Sequence, residues 1–407
     1  MSFPETIRAD VERLQKQALL AGAAALAVSL LGALASPENF FRAYLVGFLF
    51  WAGLALGCFA LLMLHHLTGG GWGFVIRRLL EAGTRTFPVL LALFLPIAAA
   101  VWMDSRAPAA AAGEHPHVYL YEWAHGDVVA RDKILTAKEP YLNINFFLLR
   151  SAAYFLIWMG IAWKLNQLSA EQDRTADQAI PRRLQTISGP GLILYGLTVT
   201  FASVDWAMSI EPHWFSTVYG LMFIIGQALT TLSFAVIVLM RLRQHAPMAG
   251  VVKSSHFHDL GNMMLAFVML WAYIAFSQFL IIWSGNLPEE NVWYLRRMGP
   301  GWGLFAALLF AFHFALPFLL LLSRRTKQSA RTLARVGLWM LVVRLCDLLW
   351  LITPAFDHMG AYWLYVAAPI GIGGIWLWGY LAELQKQPLL PLGDTQMNEA
   401  LAHATEH

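Results

Sequence analysis

The stretch D-W-A-M-S-I-E-P-H-W-F-S-T-V-Y-G-L-M-F-I-I-G-Q-A-L-T-T-L-S-F-A-V-I-V-L-M, Asp205 to Met240, decides the fold. It ends one apolar run on an acid, turns at Glu211 and Pro212, and opens a second run long enough to cross a bilayer, which takes roughly 20 apolar residues. Working outward, ten such runs appear, at about 18 to 35, 40 to 64, 87 to 103, 142 to 165, 189 to 209, 213 to 240, 259 to 284, 301 to 322, 333 to 353 and 361 to 381. With 58% hydrophobic and 13% charged residues, little is left for a soluble domain. The expected fold is an all-α integral membrane protein of about ten transmembrane helices.

Lys and Arg in short loops stay cytoplasmic. Most of the 28 Lys and Arg lie on the side of the N-terminus. Only Arg42, Arg106, Arg131, Lys133, Lys138, Arg296 and Arg297 lie on the other side, and Arg150 and Arg344 fall inside runs. Both termini are therefore expected in the cytoplasm, in a bacterial inner membrane. The net charge of +3 reflects that topology and carries no nucleic-acid inference; lipid is an expected partner and nucleic acid is not. Residues 1–17 alternate acids and bases, an amphipathic cytoplasmic lead-in unlike a signal peptide. Cys58 and Cys346 lie in apolar runs with no C-x-x-C, so iron–sulfur ligation and covalent haem are excluded, and no metal site is expected. His65, His66, His256 and His258 cluster near the cytoplasmic surface and only His313 is mid-span, which disfavours a haem held between helices.

The longest segment between runs, 104–141, is external, and its aromatic and charged stretch from Val118 to Asp127 reads as a docking surface or a mobile cap. The polar segment 166–187 and the tail 388–407 read as solvated. G-G-G-W-G, Gly69 to Gly73, lacks a phosphate-loop Lys and reads as a turn. Gly371 to Gly374 and the Gly53/Gly57 pair read as close helix packing.

Asp205 precedes Pro212 by seven residues, and Asp347 precedes Pro354 by the same number. Each acid sits in the fourth helix of a set of four, so residues 40–209 and 210–353 are expected to form two parallel-repeat four-helix bundles, with 18–39 and 354–387 as flanking helices. Lone ionised groups in hydrocarbon are costly, so Arg150 is expected to pair with Asp205, and Arg344 with Asp347, three residues on. Stepping along span seven gives Asp259, Asn262, Ala266, Leu270, Tyr273 and Ser277, a face that would line two polar half-channels around a dry centre. His258 extends its cytoplasmic end, and His313 near mid-depth, with an ordinary pKa of about 6.5, is suited to pass protons between the halves. Gln278 and the Thr230/Thr231 pair serve the same cavity or bond between helices.

Ser203 to Gly220 and His258 to Trp283 resemble the ActF family, the second NrfD/PsrC-like large membrane subunit of bacterial alternative complex III, a quinol:cytochrome c oxidoreductase. The resemblance spans nearly the whole chain. It implies ten helices with two four-helix bundles. It also implies an iron–sulfur subunit, c-type cytochrome subunits, a paralogous quinol-binding membrane subunit and small membrane subunits as partners, with haem c and iron–sulfur clusters held by them. Menaquinone or ubiquinone is the implied carrier. Asp205 matches an aspartate expected near the quinol in the paralogue, but spans two to five lack a histidine at that depth. The chain carries no redox centre, so any oxidoreductase activity belongs to the assembly. A proton-conducting subunit is the leading expectation, with a quinone pocket near Asp205 as the alternative and an independent secondary transporter behind both.

Overall fold

The computed structural model describes residues 3–106, 119–356 and 360–394, and the described residues form helices with no strand. Among the described residues ten helices are long and apolar enough to cross a membrane: Glu5–Ala35, Pro37–Thr68, Phe87–Asp104, Ile144–Thr175, Ile180–Ile210, Tyr219–Leu242, Ser254–Gly285, Trp302–Leu322, Ala330–Ala355 and Leu364–Leu384. They are called spans one to ten below. Each overlaps one apolar run of the sequence. Several outrun it, because a helix continues past the hydrocarbon wherever its polar turns find partners.

Span one begins at Glu5, so the acid and base lead-in is its first turns and no separate element. Span four continues to Thr175 and buries Asn166, Ser169 and Gln172, which corrects the reading of 166–187 as a solvated linker. The tail is also corrected over its described part: Leu389 and Leu390 are buried, and Asp394 pairs with Arg77.

Span two is the hub. Its sequence is apolar all round, so no face prefers lipid over protein, and it packs against spans one, three, five, six, nine and ten. Small residues set the closest approaches. A Cβ on Gly57 would lie 2.2 Å from Thr231 Oγ1 of span six, and one on Gly374 would lie 2.4 Å from Gly22 Cα of span one. Spans two, three, four and five are successive neighbours and close on one another, as do spans six, seven, eight and nine. Spans seven and eight bury only 22% of their most apolar stretch, which leaves them broad outward faces.

Short helices cover both ends. On the basic end, G-G-G-W-G is a turn at Gly69 and Gly70, both at positive φ, that launches a helix, Gly71–Thr84. At the opposite end Gly126–Arg131, Lys133–Lys138 and Pro288–Met298 lie over the spans. The described part of 104–141 is a packed cap: Asp104 accepts the backbone N–H groups of Tyr119, Leu120 and Tyr121, and Tyr121 and Trp123 are buried. The stretch 107–118 of this expected docking surface lies outside the described residues.

Candidate functional site

The isolated intramembrane charges of the sequence meet in pairs. Arg150 grips Asp205 with both arms of its guanidinium, Nε to Oδ2 at 2.9 Å and Nη2 to Oδ1 at 2.8 Å. Tyr154 donates its hydroxyl to the same carboxylate at 2.7 Å, and Arg150 Nη1 donates to the Tyr141 carbonyl at 2.9 Å. The rings of Tyr141 and Phe146 stack on the guanidinium at 3.8 and 4.3 Å. Asp205 is fully buried with both oxygens engaged. Such a bidentate, stacked pair is what an arginine requires to be stable away from water.

Removing one partner of a buried pair typically costs about 3 to 5 kcal/mol, whereas replacing both is nearly neutral. Asp205→Asn alone should therefore lower the yield of folded protein more than Arg150→Gln combined with Asp205→Asn. Equal yields, scored by size-exclusion chromatography of detergent extracts, would show that the pair contributes no such coupling.

In spans six to nine the polar groups are arranged differently. Arg344 Nη1 donates to Asp347 Oδ2, and Trp271 Nε1 donates to the same oxygen at 3.2 Å. Gly226 of span six makes room for the guanidinium, because a Cβ there would lie 2.2 Å from Arg344 Cζ. The His313 ring stands 4.0 Å from the Trp271 ring, fully buried, and neither of its nitrogens has a hydrogen-bond partner among the described residues. His313 lies in a π-helical turn, Phe310–Ala315, whose wider coil rotates the side chain relative to a regular α-helix.

Beside Asp347 a cavity of about 390 Å³ opens between spans seven and eight. Its outer walls are small or aromatic: Ala272, Ala275, Gly303, Ala306 and Ala307 with Phe276 and Phe279. Trp271, Tyr294, Trp350 and Asp347 supply its polar groups, and the Trp350 indole N–H has no partner among the described residues. A second buried pair caps this half of the protein. Arg297 Nη2 donates to Glu211 at 2.7 Å and to the Leu351 carbonyl at 2.6 Å, and its guanidinium stacks 3.8 Å from the Trp293 ring. Burial pulls the Arg297 guanidinium down and Glu211 opposes that pull.

The expected polar face of span seven is turned the other way. Tyr273 is 67% exposed and Asp259, Asn262, Ala266 and Leu270 are also exposed, with Ser277 half-buried, so this stripe looks away from the bundle. The inward face is Phe257, Leu260, Met264, Val268, Trp271 and Gln278. At the basic end, Asn262 does meet His258 at 3.3 Å and accepts from Lys327 Nζ at 2.7 Å, and His258 lies 3.8 Å from Asp259. From Asn262 to Trp271 is nine residues, a rise of about 14 Å, and its inward residues are apolar. Of the expected path, then, His313, Arg344 and Asp347 come together. His258, Asp259 and Asn262 form a separate cluster at the basic end. Tyr273 and Ser277 belong to neither, and Arg150 and Asp205 sit in the other half of the protein. Thr231 bonds across to the Leu54 carbonyl at 2.8 Å, while Thr230 bonds within its own helix.

A third constellation escaped the sequence reading. On the helix Gly71–Thr84, Arg77, Arg78 and Glu81 are buried together. Arg77 Nε and Arg78 Nη1 donate to opposite oxygens of Glu81 at 2.9 and 2.6 Å. Ser169 donates to Glu81 at 2.6 Å, Arg77 Nη2 reaches Gln172 at 2.8 Å, and Arg78 Nη2 reaches Asp173 at 2.5 Å. Burial alone would raise the Glu81 carboxyl, but Arg78 and then Arg77 hold it well below the usual carboxylate range. The i, i+4 pairing of Arg77 with Glu81 was the available signal.

No family model matches this chain, and no curated protein shows significant sequence similarity to it.

Proposed function

We propose that this chain is a membrane subunit of a respiratory quinol:electron-acceptor oxidoreductase of the alternative complex III type, and that its own contribution is to handle protons at His313 and Asp347. In this reading the ten spans are two parallel four-helix units, two to five and six to nine, with spans one and ten flanking. The matching order of elements supports it. In each unit a short helix follows the first span at the basic end, Gly71–Thr84 or Met248–Val251. Helices cover the opposite end between the second and third spans, and the fourth span ends in a 3-10 turn just after its aspartate. Both termini and the basic end face the cytoplasm, on the distribution of Lys and Arg.

The observation that carries the proton role is His313: a histidine wholly buried, with both nitrogens unbonded, one ring away from a carboxylate already shared by an arginine and an indole. A buried polar group without a partner costs free energy and marks a functional group or an unseen water. The polar side chains around Asp205 are, by contrast, mostly bonded: Tyr154 with Asp205, Trp158 with Thr198 at 2.8 Å, Tyr195 with Gln227 at 2.6 Å, with Ser188 and Tyr141 the buried hydroxyls left without a partner among the described residues. That half serves as structural glue. The dry stretch between Asn262 and Trp271 makes His313 and Asp347 an exchange site open toward the cavity, reached from the basic end only when water enters.

A second reading, a quinone or quinol headgroup held in the chain, is favoured by the cavity at Asp347, since an apolar slot ending in a carboxylate and indole donors fits a flat head on an apolar tail. The closed Arg150 and Asp205 pair does not offer such space. Haem c and iron–sulfur clusters belong to partner subunits in either reading.

One experiment tests assembly and orientation together. Cysteines at exposed Thr175 and Glu289 are labelled in intact cells, and the protein is then purified in mild detergent. Glu289→Cys should react from outside, Thr175→Cys should not, and c-type haem partners should co-purify. The reverse labelling, or a preparation free of haem-bearing partners, would overturn the reading.

A further inference from the structure

Among the described residues the buried arginines Arg77, Arg78, Arg150, Arg297 and Arg344 are each matched to a carboxylate. Arg241, Arg331 and Arg335 are exposed and have no carboxylate beside them. They line one groove of about 550 Å³ between spans six and nine at the basic end, and no acid lines it among the described residues. None of the three takes an ion pair or a side-chain hydrogen bond among the described residues.

The two walls are helix faces in register. On span six, Ile237, Met240 and Arg241 step along one side of the helix toward Gln244, just past its end. Span nine answers with Arg331, Ala334, Arg335 and Leu338 at the same spacing, running the opposite way. Each wall therefore places its cations at the helix end and its apolar side chains one or two turns deeper. Three exposed guanidiniums lining one groove offer an anion donors from both walls, with no carboxylate competing for them. The apolar depth below says what the anion is attached to.

We propose that this groove binds one anionic glycerophospholipid, its phosphate held by Arg241, Arg331 and Arg335 and an acyl chain lying against Met240, Ile237 and Leu338. Charge and polarity both match: acid phosphate at the level of the guanidinium groups, hydrocarbon at the level of the apolar residues. A zwitterionic lipid would bring a cation of its own to a site that has no carboxylate to receive it. Basic pockets between transmembrane helices are a recognised setting for anionic head groups. The proposal is independent of the proton role, since the groove and the His313 site share no residue.

Native mass spectrometry of the purified, delipidated protein, with whatever partners it retains, tests it by titration with dioleoyl phosphatidylglycerol and with dioleoyl phosphatidylcholine. One phosphatidylglycerol should bind with a roughly hundredfold preference, the effect of three surface arginines acting together. R241Q/R331Q/R335Q should lose that preference. R182Q/R183Q, which removes two exposed arginines elsewhere at the same end, should keep it. R241K/R331K/R335K preserves the charge and should retain most of the preference, which separates loss of charge from loss of fold. Equal binding of phosphatidylcholine, retention of the lipid by the triple glutamine variant, displacement by millimolar glycerol phosphate, or an acidic polypeptide occupying the groove instead of lipid would each overturn it.

Discussion

Glu81→Gln is expected to be among the most damaging single substitutions in this chain, costing about 3 to 5 kcal/mol, the range for breaking a buried ion pair from one side. Glu81 is fully buried and one carboxylate answers two guanidiniums, which are themselves 1 to 2% exposed. With the charge gone, Arg77 still reaches Asp394 and Arg78 still reaches Asp173, but both of those acids lie at the rim. The core of the cluster would hold two cations against a neutral amide. The measurement is the yield and thermal unfolding of purified protein. Asp173→Asn, at the rim, should cost less, and Arg78→Met added to Glu81→Gln should recover part of the loss. A Glu81→Gln protein as stable as the parent would show that the network is dispensable.

Acid should destabilise this cluster only well below the ordinary carboxylate range. The Glu81 carboxyl is depressed in the folded state by Arg78 and Arg77, so its stabilisation is full above the ordinary carboxylate pKa and is lost only as pH falls through the lower folded value. Mild acid therefore leaves the Glu81 core charged and intact.

The contrast between what was readable and what was not follows from the two solvents this chain meets. A bilayer demands about 20 apolar residues per crossing, so the spans stand out in sequence. It also penalises lone charges, so Arg150 had to find Asp205, and Arg344 had to find Asp347. The Arg77, Arg78 and Glu81 cluster was hidden because it sits between spans, where charged residues read as hydrated. Only the tertiary packing of span four over the helix Gly71–Thr84 removes the water. Span seven failed for a different reason. Periodicity identifies which residues share a face, but lipid-facing and protein-facing surfaces are both apolar in a membrane protein, so it does not say which way the face points. The stripe through Asp259, Asn262 and Tyr273 points out, and the inward donor, Trp271, is a residue that hydropathy counts as apolar. His313 was legible by depth alone, but its unbonded state was not.

On the proposed proton role, His313→Phe should leave the protein assembled and abolish most of the proton movement. The ring nitrogens make no hydrogen bond among the described residues, so an aromatic ring of similar size breaks nothing and keeps the stacking on Trp271. A positioned proton-transfer group contributes about two to four orders of magnitude in rate. Redox-driven proton movement in reconstituted vesicles should therefore fall by about a hundredfold or more, while quinol oxidation with an uncoupler present stays near the parent value. Asp347→Asn should show the same uncoupling but assemble poorly, because it strands Arg344 in a buried site at a cost of about 3 to 5 kcal/mol. Arg344→Gln with Asp347→Asn should restore assembly without restoring proton movement. If the assembled His313→Phe protein instead loses quinol oxidation even with the uncoupler, the cavity beside Asp347 holds the quinol and the proton reading fails. If both activities persist, His313 is a packing residue and the exchange site lies elsewhere.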